Sequence, residues 1–152
     1  MTAPEPLRLP ARLENLAAFI APVAAFACSL GFPAERVGQI ELALEEALVN
    51  IFTYAYGDHP LDAMLSWHSS DSGALVIEIR DWGTPFDVLQ AEAPNLQADM
   101  SQRKVGGLGI YMIRQLMDRV AYRYENRQNV LTLTAYRRPV KASPPASTPD
   151  AT

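Results

Sequence analysis

The chain has 152 residues, of which 49% are hydrophobic and 20% charged, the balance of an ordinary soluble globular protein. Its net charge of −4 excludes a non-specific nucleic-acid binder, which needs a basic field. One cysteine, Cys28, and two histidines, His59 and His68, exclude a disulfide framework and a metal cluster built on Cys or His.

This length predicts one domain, able to bury roughly two-thirds of its unfolded surface. Prolines crowd Met1 to Pro10 and no apolar signal core follows, so a cytoplasmic location is expected. Leu7 and Leu9 alternate with polar neighbours and suit a short edge strand. From Arg12 to Leu30 apolar residues recur at helical spacing, with Pro22 expected to kink the helix. Asn15 to Ala34 carry no charge, but Pro22, Gly31 and Pro33 interrupt the run, so a buried helix is expected and no membrane span.

A second helix is predicted over about Ala34 to Tyr56, with Val37, Ile40, Leu44, Leu48 and Ile51 on its main apolar face. Gly57-Asp58-His59-Pro60 ends it. Alternation at Leu61, Ala63, Leu65 and Trp67, and again at Leu75, Ile77 and Ile79, predicts an antiparallel pair. Val88 to Val105 lack a period and suggest a long working loop. A helix over about Gly107–Met117 and two strands, Val120–Glu125 and Val130–Tyr136, complete a domain over 1–138. Residues 139–152 are rich in Pro, Ala, Ser and Thr and predict a disordered tail.

Chemistry concentrates in three blocks. Glu46 and Asn50 are four apart, so they share a helix face, in the company of Ala43, Ala47 and Tyr54. Two polar groups there call for a polar ligand: an amide oxygen suits Mg²⁺, and the carboxylate suits a general base. The plain alternative is a solvated Glu/Asn pair. Asp81 shares strand parity with Leu75, Ile77 and Ile79 and so ends an apolar row, where a base amino group would satisfy it. Gly83 would let backbone approach a flat ring, although Asp, Gly and Pro also suit an ordinary turn. Gly106, Gly107 and Gly109 open a helix, whose free N–H groups favour anions, with Arg103 and Lys104 just upstream. Arg114, Asp118 and Arg119 read as surface or capping charges. Thr132 faces away from Leu131 and Leu133, and parity leaves open whether a ligand lies there.

The order Glu46-Ala47-x-x-Asn50, Asp81-x-Gly83-x-Pro85-Phe86-Asp87, Gly106-Gly107-Leu108-Gly109-Ile110 resembles the ATP-binding domain shared by gyrase, Hsp90, histidine kinases and MutL. Within that superfamily the chain is most similar to the anti-sigma-factor serine/threonine kinases, over about Arg12 to Arg138. The resemblance implies an α+β fold: a two-layer sandwich in which helices cover one face of a mostly antiparallel sheet. It implies Mg²⁺ on Asn50, Glu46 as base, Asp81 and Gly83 at the adenine, Gly107 and Gly109 at the phosphates, and Thr132 near the base. Residues Val88 to Val105 would be the ATP lid, and Arg103 or Lys104 would reach the phosphates. It further implies phosphorylation of a STAS-type anti-anti-sigma protein, sequestration of a sigma factor, and a homodimer without direct nucleic-acid contact.

Two departures stand out. Tyr54 and Ala55 occupy positions where many members have His and Gly, and Val105 or Gly106 stands where some kinases have Arg. A partner switch that binds without phosphorylating is therefore a second expectation. A detached histidine-kinase catalytic domain is a third, less favoured because no phospho-acceptor helix precedes the domain.

Overall fold

Alternating apolar residues build the sheet. The computed structural model describes residues 3–55, 61–90 and 107–138. The expected tail, Arg103, Lys104 and most of the expected lid lie outside them. Strand β1 (Leu7–Pro10) is the predicted edge strand, followed by β2 (Asp62–Ser69), β3 (Leu75–Asp81), β4 (Arg119–Glu125) and β5 (Gln128–Ala135). The sheet order is β1-β2-β3-β5-β4, with each neighbouring pair antiparallel. One face carries Leu65 and Trp67 of β2, Ile77 and Ile79 of β3, and Leu131 and Leu133 of β5, none more than 5% exposed. Burying each such side chain contributes roughly 1.5–3 kcal/mol.

The other face is polar. Arg80–Glu78 (2.6 Å) within β3 and Arg123–Glu125 (2.7 Å) within β4 are ion pairs, and Arg123–Glu78 (3.4 Å) and Arg80–Glu125 (3.8 Å) link the two strands. Pairs this accessible contribute little each, and they keep the open face wet.

Three helices cover the apolar face: α1 (Leu16–Ser29), α2 (Ala34–Asn50) and α3 (Gly107–Leu116). Phe19, Val23 and Ala27 bury one stripe of α1, and α1 runs on through Pro22. The long uncharged run is broken at Gly31 (φ +87°), just past the end of α1, and no helix among the described residues is long and apolar enough to cross a membrane. In α2, Val37, Ile40, Leu44 and Leu48 face the core as predicted. The helical path continues past Asn50, but as a π turn over Ile51–Ala55, a widening often found at functional sites.

One interaction differs from the sequence reading. Asp118 is not a surface charge: its Oδ2 lies 2.6 Å from Nη2 of Arg36, with both side chains nearly inaccessible (2% and 3%). Arg36 also donates to the carbonyls of Leu116 (2.6 Å) and Tyr136 (2.8 Å), while Asp118 accepts from the Tyr136 N–H (2.8 Å). The pair thus joins the start of α2, the end of α3 and the end of β5.

Candidate functional site

Two clusters carry the sequence candidates. The first lies between α2 and α3. Asn50 is buried (3% exposed), and its Nδ2 donates to the Glu46 carbonyl one turn earlier (2.7 Å). That bond engages the amide nitrogen; the amide oxygen is the atom type a hard cation would need. The Glu46 side chain is half-buried beside it. Gly109, in the first turn of α3, comes so close that a Cβ there would stand 2.6 Å from Glu46 Oε2 and 3.0 Å from Asn50 Nδ2. A side chain at 109 would therefore have to displace the Glu46 carboxylate and crowd the Asn50 amide. Gly107 opens α3 at its N-terminal end, where unpaired N–H groups and the helix dipole favour anions.

The second cluster is at the end of β3. Asp81 is 1% exposed, on the helix-covered face, as its parity predicted. Its Oδ1 accepts from Asn129 Nδ2 (2.8 Å) and from the Gly83 N–H (3.0 Å). Burial pushes the Asp81 carboxyl above its ordinary value, and those two hydrogen bonds only partly offset the shift. Asn129 also donates to the Thr84 carbonyl (2.9 Å) and accepts from the Phe86 N–H (2.9 Å) and the Tyr122 hydroxyl. One amide thus fixes the aspartate and the Gly83–Phe86 loop together. Burial likewise raises the Tyr122 phenol above its usual value.

The loop leads into a short 3₁₀ turn, Val88–Gln90. Asp87 Oδ1 caps it by accepting from the Leu89 N–H (2.8 Å), and Arg114 of α3 donates to the Leu89 carbonyl (2.9 Å). Arg114 thereby ties α3 to the first residues of the expected lid, whose remainder lies outside the described residues.

Thr132 does not join either cluster. It pairs with Glu78, whereas Asp81 pairs with Asn129, and successive residues of a strand point to opposite faces. Thr132 therefore stands on the polar face, and the β5 side chain beside Asp81 is Asn129. By sequence pattern Asn129 falls just before the strand expected at Val130–Tyr136, and Tyr122 falls inside the one expected at Val120–Glu125, with nothing local to mark either as a site residue. The signal that finds Asn129 is the β3–β5 register, which sequence alone did not supply.

Residues 9–135 match the model of the histidine kinase-like ATPase domain. The chain belongs to this family. It is 28% identical over 135 residues to the serine-protein kinase RsbW of Listeria innocua, covering 86% of this chain and 85% of that one. It is 30% identical over 101 residues to the serine/threonine-protein kinase BtrW of Bordetella bronchiseptica, covering 66% and 70%. The fold is that of a crystal structure of the RsbU and RsbW domains of Rv1364c from Mycobacterium tuberculosis. The TM-score is 0.60 at 14% identity, over 87% of this chain and 32% of that one.

Proposed function

We propose that this histidine kinase-like ATPase domain binds Mg-ATP and is a serine/threonine protein kinase of a partner switch. It transfers the γ-phosphate to a hydroxyl of a STAS-type anti-anti-sigma protein and sequesters a sigma factor, as a cytoplasmic homodimer. The observation that carries this reading is the approach of Gly109 to Glu46 and Asn50, which sets the N-terminal turn of α3 against an amide and a carboxylate. The kinases RsbW and BtrW, to which the chain is similar, support the reaction type.

In this reading Asp81 accepts from the adenine amino group, with Gly83 beside the ring and Asn129 holding the carboxylate in place. Gly107 and Gly109 leave N–H groups and space for the phosphates, and Arg103 and Lys104 add positive charge. The Asn50 oxygen would hold Mg²⁺, which when bound would offset phosphate charge. Glu46 orients the acceptor hydroxyl and takes its proton as the oxygen bonds to phosphorus and ADP leaves.

Tyr54 and Ala55, in place of His and Gly, favour a second reading: a switch that binds its partners without phosphorylating them. Calorimetric titration of Mg-ATP into the wild type, Asp81→Asn and Asn50→Ala is the test of the site. Binding lost in Asp81→Asn and weakened at least tenfold in Asn50→Ala is expected; absence of binding at millimolar Mg-ATP sinks the proposal. Phosphate transfer from labelled ATP to a STAS partner, abolished in Glu46→Gln, separates the kinase from the switch.

A further inference from the structure

The outer side of the α1–α2 pair holds a groove of about 650 Å³, one helical stripe away from Glu46. Its floor is apolar: Ile20 comes from α1 and Leu42 from α2, and Leu13, at the approach to α1, is 60% exposed. Its rim is acidic. Glu14, Glu41 and Glu45 are all exposed; Glu14 has Arg12 at 3.5 Å, and Glu41 and Glu45 have no ion pair among the described residues.

Two features of this stripe work against the helix that carries them. Glu41 and Glu45 are like charges one turn apart, which repel. Gly38 lies inside α2, where glycine is less stable than alanine. Unlike at Gly109, a Cβ at 38 would meet nothing within 4 Å, and the Gly38 φ is not left-handed. Neither the conformation nor the packing of the described residues requires glycine there. What Gly38 provides is open space in the groove.

We propose that this groove receives a basic amphipathic helix of a partner protein. The apolar stripe of that helix would rest on Leu13, Ile20 and Leu42, its backbone would pass closest at Gly38, and its Lys or Arg flank would meet Glu41 and Glu45. Charge selects this occupant over a second copy of the chain: a two-fold contact through this face would set Glu41 and Glu45 of one copy against acidic residues of the other. The groove goes beyond the nucleotide reading, since binding there needs neither ATP nor phosphotransfer.

The test uses the full chain without nucleotide and two fluorescein-labelled 18-residue amphipathic helices, one of Leu and Lys, the other of Leu and Glu. Fluorescence anisotropy should show saturable binding of the Leu/Lys helix only. Gly38→Leu, which fills the groove with a better helix former, should weaken it at least tenfold. Glu41→Lys/Glu45→Lys should exchange the preference, so that the Leu/Glu helix binds and the Leu/Lys helix does not. Leu/Lys binding that survives both variants would be diffuse charge attraction and overturns the proposal. A wild-type dimer that Gly38→Leu converts to monomer would also overturn it, by assigning the groove to a second copy.

Discussion

Asn129 donates to Oδ1 of Asp81 at 2.8 Å, from the residue paired directly opposite it on β5. This bond and the one from the Gly83 N–H hold a carboxylate that burial has pushed above its ordinary value of 3.8. Asp81 in its charged form is thus held at a cost to the fold.

Asp81→Asn should leave the fold as stable as the wild type or more so at pH 7, since an amide oxygen accepts the same two bonds without a buried charge. The pH dependence has a definite sign. Between about 3.8 and the raised folded value, the folded chain holds a proton that the unfolded chain has released, so stability falls as pH rises. Urea denaturation from pH 3.5 to 7 should show wild-type stability declining relative to Asp81→Asn across that window and level above it. Wild-type stability that rises with pH relative to Asp81→Asn would mean the carboxylate is stabilised as an anion instead.

Gly109→Ala separates folding from nucleotide binding. Alanine favours the helix by about 1 kcal/mol over glycine, while its Cβ would crowd Glu46 Oε2 at 2.6 Å and Asn50 Nδ2 at 3.0 Å. The Glu46 carboxylate is the end of a flexible chain and can swing away; the buried Asn50 has less room. Stability should therefore change by less than about 1 kcal/mol. Mg-ATP affinity, measured by calorimetry, should fall at least tenfold. Unchanged affinity would separate this contact from the phosphate site.

The sheet and α2 were legible because their patterns are local: period-two alternation at Leu75, Ile77 and Ile79, and helical spacing at Val37, Ile40, Leu44 and Leu48. Glu46, Asn50 and Asp81 followed from those periods, which place polar residues on buried faces. What escaped depends on pairings that no local period encodes. Asn129 acquires its role from the register of β5 on β3, and a strand's own residues do not state which partner they face. Parity showed that Thr132 opposes Leu131 and Leu133 but not which face was covered. Asp118 looked like a terminal helix charge because Arg36 lies 82 residues away in sequence.

The buried pair Arg36–Asp118 sets a large expected loss. Asp118→Ala leaves the guanidinium without its counter-charge in a site only 3% exposed, and the Tyr136 N–H loses an acceptor. The cost should be about 3–5 kcal/mol in urea denaturation, as for other broken buried pairs. Arg36→Met/Asp118→Leu removes both charges and should cost clearly less than Asp118→Ala alone. Equal losses in the two variants would show that the hydrogen bonds to Leu116 and Tyr136, rather than the uncompensated charge, dominate this junction.

The β4–β5 hairpin turns on two residues in the left-handed region, Asn126 (φ 52°) and Arg127 (φ 61°). A two-residue turn of this kind needs positive φ at both positions because only that twist matches the flanking strands, and Asn-Gly is its preferred sequence. Asn tolerates the conformation through its short polar side chain; arginine has no such compensation and costs roughly 1–2 kcal/mol there. Glycine removes that strain but has more backbone freedom to lose on folding, so the gains partly cancel. Arg127→Gly should stabilise the chain by about 0.5–1 kcal/mol, a rise of roughly 1–4 °C in thermal midpoint. Because Asn129 follows two residues later, a firmer turn should leave Mg-ATP affinity unchanged or slightly improved. A lower midpoint would mean that the Arg127 side chain makes contacts worth more than the strain it imposes.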